Sequence, residues 1–174
     1  ISSGDGGGGN DDDTGHTAGT GNAQDITDNL LGKMLRINVN ADDFLADDDR
    51  NYAIPPTNPF KAGVGDPADD AGDDEIWAYG LRNPYRWNFH PVTGHIWHSN
   101  LGGNRVVKLD PTKSSAATIE IARYPHGNEN AQGVAVDAKG NVWVAHALFG
   151  ATTIGRVRTD GTYLGNASLG GGNG

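Results

Sequence analysis

Six histidines and a surplus of carboxylates are the chemistry-bearing side chains of this 174-residue chain. His90, His95 and His98 fall close together, with Trp97 beside the last of them. Alternate residues of a strand share a face, so His95 sits with Trp97 while His98 points the other way. One metal ion could not readily take both, and the three read as histidines that pack a hairpin or lie at the surface. His126 differs: in Pro125-His126-Gly127-Asn128-Glu129-Asn130 it stands on a loop, where catalytic groups are often carried. It is the catalytic candidate that the residues themselves offer. Carboxylates cluster at Asp11-Asp12-Asp13, Asp47-Asp48-Asp49 and Asp73-Asp74-Glu75. Their oxygens suit calcium, but no EF-hand loop and no regular Gly-Gly-x-Gly-x-Asp repeat surrounds them, so solvated acidic loops are the competing reading. The chain has no Gly-x-Ser-x-Gly and no cysteine, which removes the nucleophile elbow, thiol chemistry and disulfides.

The elements that must position these residues are short. Glycine contributes 27 residues and hydrophobic types only 36 % of the chain. That balance suits many strands joined by tight turns, since glycine supplies the positive φ such turns need. Residues 1–28 form a Gly/Asp/Asn/Thr-rich loop, 33–39 alternate polar and apolar as a strand does, and 40–74 return to loop with repeated Pro and Asp. Irregular stretches of that length need something to order them, and a metal ion or a packing partner is the expectation. From Glu75 onward strands are expected at 76–79, 86–90, 95–99, 105–109, 119–123, 133–136, 141–146 and 154–158. Pro91-Val92-Thr93-Gly94, Asp110-Pro111, Lys139-Gly140 and Asp160-Gly161 punctuate them as turns. The class is all-β.

An internal repeat narrows the architecture. Phe89-His90-Pro91-Val92-Thr93-Gly94-His95-Ile96-Trp97 resembles Val136-Asp137-Ala138-Lys139-Gly140-Asn141-Val142-Trp143, and the two tryptophans stand 46 positions apart. That is a blade period, and blades bury their faces only against neighbours, which points to a β-propeller. At roughly 40–45 residues per blade the chain holds three to four, a partial arc. Such an arc is expected to pack on further copies or on the missing remainder of a ring. The chain starts at Ile1 without a methionine or signal peptide and reads as a mature or excised piece. A net charge of −9 argues against a nucleic-acid partner, and no apolar run reaches the length of a membrane span.

Four motifs then carry a family resemblance. Ile1-Ser2-Ser3-Gly4-Asp5-Gly6-Gly7 is followed by Asn29-Leu30-Leu31-Gly32-Lys33-Met34-Leu35-Arg36-Ile37-Asn38. Tyr52-Ala53-Ile54-Pro55-Pro56-Thr57-Asn58-Pro59-Phe60 comes next, and Glu75-Ile76-Trp77-Ala78-Tyr79-Gly80-Leu81-Arg82-Asn83-Pro84 last. In this order they resemble the soluble PQQ-dependent (quinoprotein) glucose and aldose dehydrogenases, over residues 1–104. Residues 105–169 resemble NHL-type repeats of the same propeller domain, and 170–174 are a Gly-rich tail. The resemblance implies a six-bladed propeller, PQQ and calcium as cofactors, a sugar substrate, and a periplasmic or extracellular location. It implies that Arg82 and Asn83 face the cofactor, the guanidinium fork suiting its carboxylates. It implies that Gly102 and Gly103 offer backbone carbonyls to calcium, with Asp5 close to the blade of the catalytic base. That base is a histidine upstream of the first motif, hence before Ile1. Val106-Val107 stand where some relatives carry a carboxylate, and Asn130 and Gln132 where relatives place basic groups on PQQ. Two other functions compete: a non-catalytic extracellular propeller module that binds protein or glycan or self-assembles, and a virginiamycin-type carbon–oxygen lyase that would use His126 and a metal.

Overall fold

The structure is a computed structural model that describes residues 1–8, 11, 13–27, 29–61, 72–84, 86–100, 105–113, 120–125, 131–146 and 153–168. His126, Gly102, Gly103 and the 170–174 tail lie outside the described residues. Among the described residues every regular element is a strand and every pairing is antiparallel. The chain divides into two compact units, one built on residues 1–81 and one on residues 82–112 and 118–174.

The second unit holds two four-stranded meanders, successive propeller blades. The first blade runs β3 (Arg86–Phe89), β4 (Ile96–Asn100), β5 (Arg105–Leu109), β6 (Glu120–Pro125) in spatial order, and the second β7 (Ala131–Val136), β8 (Val142–His146), β9 (Thr153–Val157), β10 (Tyr163–Ser168). Trp97 is the second residue of β4 and Trp143 the second of β8, so the sequence repeat is a structural one. Between the blades lies a core of Trp97, Val106, Val142, Val144 and Val157, with Val134, Val136 and Tyr163 packed on it.

Turn chemistry fixes the hairpins. In the second blade the Asp137 carboxylate accepts from the Lys139 and Asn141 amides, both at 2.9 Å, and from the Trp143 indole at 3.0 Å. These bonds hold its carboxyl well below the ordinary range. In the first blade His90 stands at the same place, and its Nδ1 accepts from the Val92 and Thr93 amides at 3.2 and 3.1 Å. His90 is thus a hairpin-packing residue. Gly140, at φ +82°, lies so near it that a Cβ there would come within 2.4 Å of His90 Nε2. His98 is wholly buried in β4, and burial with the nearby Lys108 lowers the pKa of His95.

The first unit has one two-stranded sheet, β1 (Met34–Leu35) with β2 (Ile76–Ala78). The strand expected over 33–39 is only two residues long because the segment changes partner as it goes. Leu35 N–H donates to Ile1 O, Arg36 N–H to Glu75 O and Asn38 N–H to Ala53 O, at 2.8–2.9 Å. β10 lies beyond the expected strands: Tyr163-Leu164-Gly165-Asn166-Ala167-Ser168 has no alternation, and Gly165 sits at φ +91° inside it. It is an edge strand, exposed over its last three residues, so little burial constrains its pattern.

Candidate functional site

The four motifs, spread over residues 1–84, meet around one extended segment. Ser3 N–H donates to Lys33 O at 2.9 Å and Gly32 N–H to Gly4 O at 2.8 Å, which lays the first motif along the second. Leu81 N–H reaches Gly32 O at 3.0 Å, tying in the fourth. Gly32, at φ +68°, permits this convergence, for a Cβ would lie 2.6 Å from the Ala23 α-carbon. The third motif joins through Asn58. Its Nδ2 donates to Arg36 O and Asp74 O at 2.8 and 2.9 Å, and its Oδ1 accepts from Arg36 Nε at 2.6 Å. Tyr52 donates to Glu75 at 2.7 Å, and its pKa is raised to about 12 by burial and by that carboxylate.

Lys33 is the centre of this assembly. It is wholly buried, and its ammonium donates to Asn22 O at 2.6 Å, to Ala23 O at 3.4 Å and to Leu31 O. Burial lowers its pKa, opposed by the charges of Asp25, Asp11 and Asp73. Asp11 organises the same loop from the other side. Its carboxylate accepts from His16 Nδ1 and the Asn22 amide at 2.8 Å and from the Ala23 amide at 2.9 Å. Burial pushes its carboxyl up, but these bonds outweigh that and hold it below the ordinary value. Within the loop for which the sequence raises a metal or a partner, an internal ammonium is set among carbonyl oxygens, much as a bound cation would be. Lys33 goes unnoticed in the sequence because it looks like the polar half of an alternating strand.

Of the residues the resemblance singles out, Asp5 belongs to the first unit. It is 1 % exposed; its carboxylate accepts from Gly7 N–H at 3.2 Å and its carbonyl from Asn22 Nδ2 at 2.9 Å. Arg82 and Asn83 open the second unit, half-buried and engaged with neighbours. Adjacent guanidinium and amide groups have the donor chemistry that the carboxylates and carbonyls of PQQ require, and that pair fits the cofactor. Among the described residues no three His, Asp or Glu side chains gather as a metal cage. The backbone oxygens of Gly102 and Gly103 lie outside the described residues.

A chain of antiparallel propeller blades with a motif-built loop region defines the class. Its residues 9–114, more than half of it, match the model of the Glucose / Sorbosone dehydrogenase family. The chain belongs to that family. It is 35 % identical over 82 residues to the HIPL2 protein and 38 % identical over 65 residues to the HIPL1 protein, both of Arabidopsis thaliana. Those stretches take in 44 % and 34 % of this chain but only 11 % and 8 % of the two proteins. Among solved structures it is similar to a glucose dehydrogenase, with a TM-score of 0.53 at 21 % identity, covering 84 % of this chain and 43 % of that one. It is similar also to a putative oxidoreductase (glucose dehydrogenase) of Thermus thermophilus, with a TM-score of 0.50 at 21 % identity, covering 87 % and 46 %. At that identity these two show the fold.

Proposed function

We propose that this chain is the cofactor-facing part of a PQQ- and calcium-dependent sugar dehydrogenase that oxidises aldoses outside the cytoplasm. The observation that carries the reading is the convergence of four family motifs on Lys33 and Arg36, directly ahead of Arg82-Asn83 in the chain. PQQ, when bound, supplies the two-electron acceptor for the sugar. What these residues do is bind and orient. Arg82 would pair with a cofactor carboxylate and Asn83 would donate to one of the cofactor's oxygens. Calcium would enter beside the cofactor on the backbone oxygens of Gly102 and Gly103. Among the described residues no helix is long and apolar enough to cross a membrane.

Fluorescence titration of the chain with PQQ and calcium tests the reading. Saturable binding that Arg82→Ala weakens about 10-fold or more is expected, the loss of a charge-assisted pair being worth ~1.5–3 kcal/mol. Equal binding by the variant, or none by either protein, would remove Arg82 from the site. Aldose-dependent dye reduction by a longer protein containing this chain then tests the reaction itself.

A further inference from the structure

The hairpin turns of the two blades meet, and they carry different chemistry at one equivalent position. In the second blade that position is Asp137, whose carboxylate accepts from the Lys139 and Asn141 amides. In the first it is His90, 6 % exposed, whose Nδ1 accepts from the Val92 and Thr93 amides. A ring nitrogen that accepts carries no proton, so the hydrogen of the neutral imidazole is on Nε2. Nε2 is buried without a partner among the described residues. It is turned toward the other blade: at Gly140, between β7 and β8, a Cβ would lie 2.4 Å from Nε2 and 3.1 Å from the Thr159 methyl.

A second proton can go only to Nδ1. There it would replace an acceptor with a donor facing two amide N–H groups. It would also bring a cation toward the Thr159 turn, where the Lys108 ammonium already donates to the carbonyl at 3.3 Å. The second blade shows that the turn works without a group that titrates near neutrality, because the Asp137 carboxyl is held well below the ordinary range.

The charged groups on the elements packed round the ring are His95 on its own hairpin, Lys108 in β5 and Asp110 after it, Asp137 and Lys139 in the β7–β8 turn, and Arg158 and Asp160 in the β9–β10 turn. Hydrogen bonds hold Asp137 and Asp160 below the ordinary carboxylate value. The two histidines are therefore the groups of this set that change charge between about pH 7.5 and 5.5. Burial lowers the pKa of His95, assisted by Lys108 and His90 and opposed by Asp110. Folding thus favours its neutral form, and the stability it lends above an unfolded-state value of ~6.5 is lost as the pH falls through that value.

We propose that His90 is an acid-operated latch between the two blades. Neutral, it closes its own turn and seats on Gly140. Protonated at Nδ1, it drops the Val92 and Thr93 amides and leaves Gly140, and the contact between the turns opens.

Hydrogen exchange of the full chain, followed amide by amide and corrected for the intrinsic effect of pH, tests the latch. An imidazole that gains its proton only in the open state, near its ordinary ~6.5, lowers protection ~10-fold between about pH 7.5 and 5.5. That fall is expected at the Val92, Thr93 and Gly140 amides together. His90→Asn keeps an acceptor for the turn amides and removes the titration. It is expected to abolish this fall and leave only the part due to His95, which His95→Gln removes. His90→Asp, which copies the second blade, gives the same reading should the asparagine weaken the turn. Asp137→His is expected to make the second blade's turn acid-sensitive in its place. Acid loss of equal size in the wild type and both His90 variants overturns the proposal, as does unchanged protection at Val92 and Thr93. A fall at those two amides that spares Gly140 overturns it as well, since the proton would then act on the hairpin and not on the contact.

Discussion

Lys33 joins two roles that the sequence keeps apart. An ammonium donates three hydrogen bonds, and here the backbone oxygens of Asn22, Ala23 and Leu31 take them. Its stem lies in the interior, and the charge is balanced at longer range by Asp25, Asp11 and Asp73. Lys33→Met would keep the stem and leave the Asn22 and Leu31 carbonyls without this donor, while Ala23 O keeps the Gly80 N–H at 2.8 Å. Unsatisfied buried acceptors cost about 1–3 kcal/mol each, so a loss of roughly 2–4 kcal/mol in urea unfolding is expected. A loss below ~0.5 kcal/mol would show the loop to be ordered by something else. The second motif is legible as a family feature, but its purpose is not, because burial of a lysine is a tertiary outcome invisible in a polar–apolar alternation. His90 is a hairpin residue in the sequence and in the structure alike. That it stands in for Asp137 can be seen only once the two turns are compared in space.

At the level of strands, turn residues are the reliable signal. Lys139-Gly140 and Asp160-Gly161 close hairpins where expected, and β5 matches its expected range residue for residue. The failures have one cause. Residues 33–39 and β10 are segments whose partners change or run out, so the two-residue period is either present without a ladder or absent from one. The Trp97/Trp143 pair gives a quantitative test of the blade equivalence. Trp97 is wholly buried between blades, and truncation to Ala should cost about 3–5 kcal/mol. Trp143 keeps part of its surface in water, and its truncation should cost roughly a third as much, given smaller burial at ~25 cal/mol per Å². Chemical denaturation of both variants reads the difference. Equal costs would mean that Trp143 is already covered by an adjoining sheet.

For the chain as a whole the question is what a divalent cation would do to a molecule of net charge −9. Two effects must be separated. Any salt screens the mutual repulsion of the acidic loops, and does so by ionic strength, without distinguishing calcium from magnesium. A bound ion instead stabilises by mass action, and selectively. Several of the described carboxylates are already engaged: Asp11 by His16 and two amides, Asp43 by Lys61 and Ile54 N–H, Asp47 by Arg50. Lys33 already fills the role of cation inside the first unit. Calcium alone is therefore expected to shift the melting temperature no more than magnesium at equal ionic strength, and a chelator to leave it unchanged. Under the proposed function calcium with PQQ is different, because the cofactor would bring oxygen ligands of its own to the ion. At a hundredfold excess over the dissociation constant, linkage gives about 2.7 kcal/mol, or roughly 5–10 °C for a chain of this size. Differential scanning fluorimetry in metal-free buffer, with calcium, PQQ and both, measures each arm. A calcium-specific rise without PQQ would place a metal in the acidic loops after all. No rise with both together would separate this chain from the cofactor chemistry of its family.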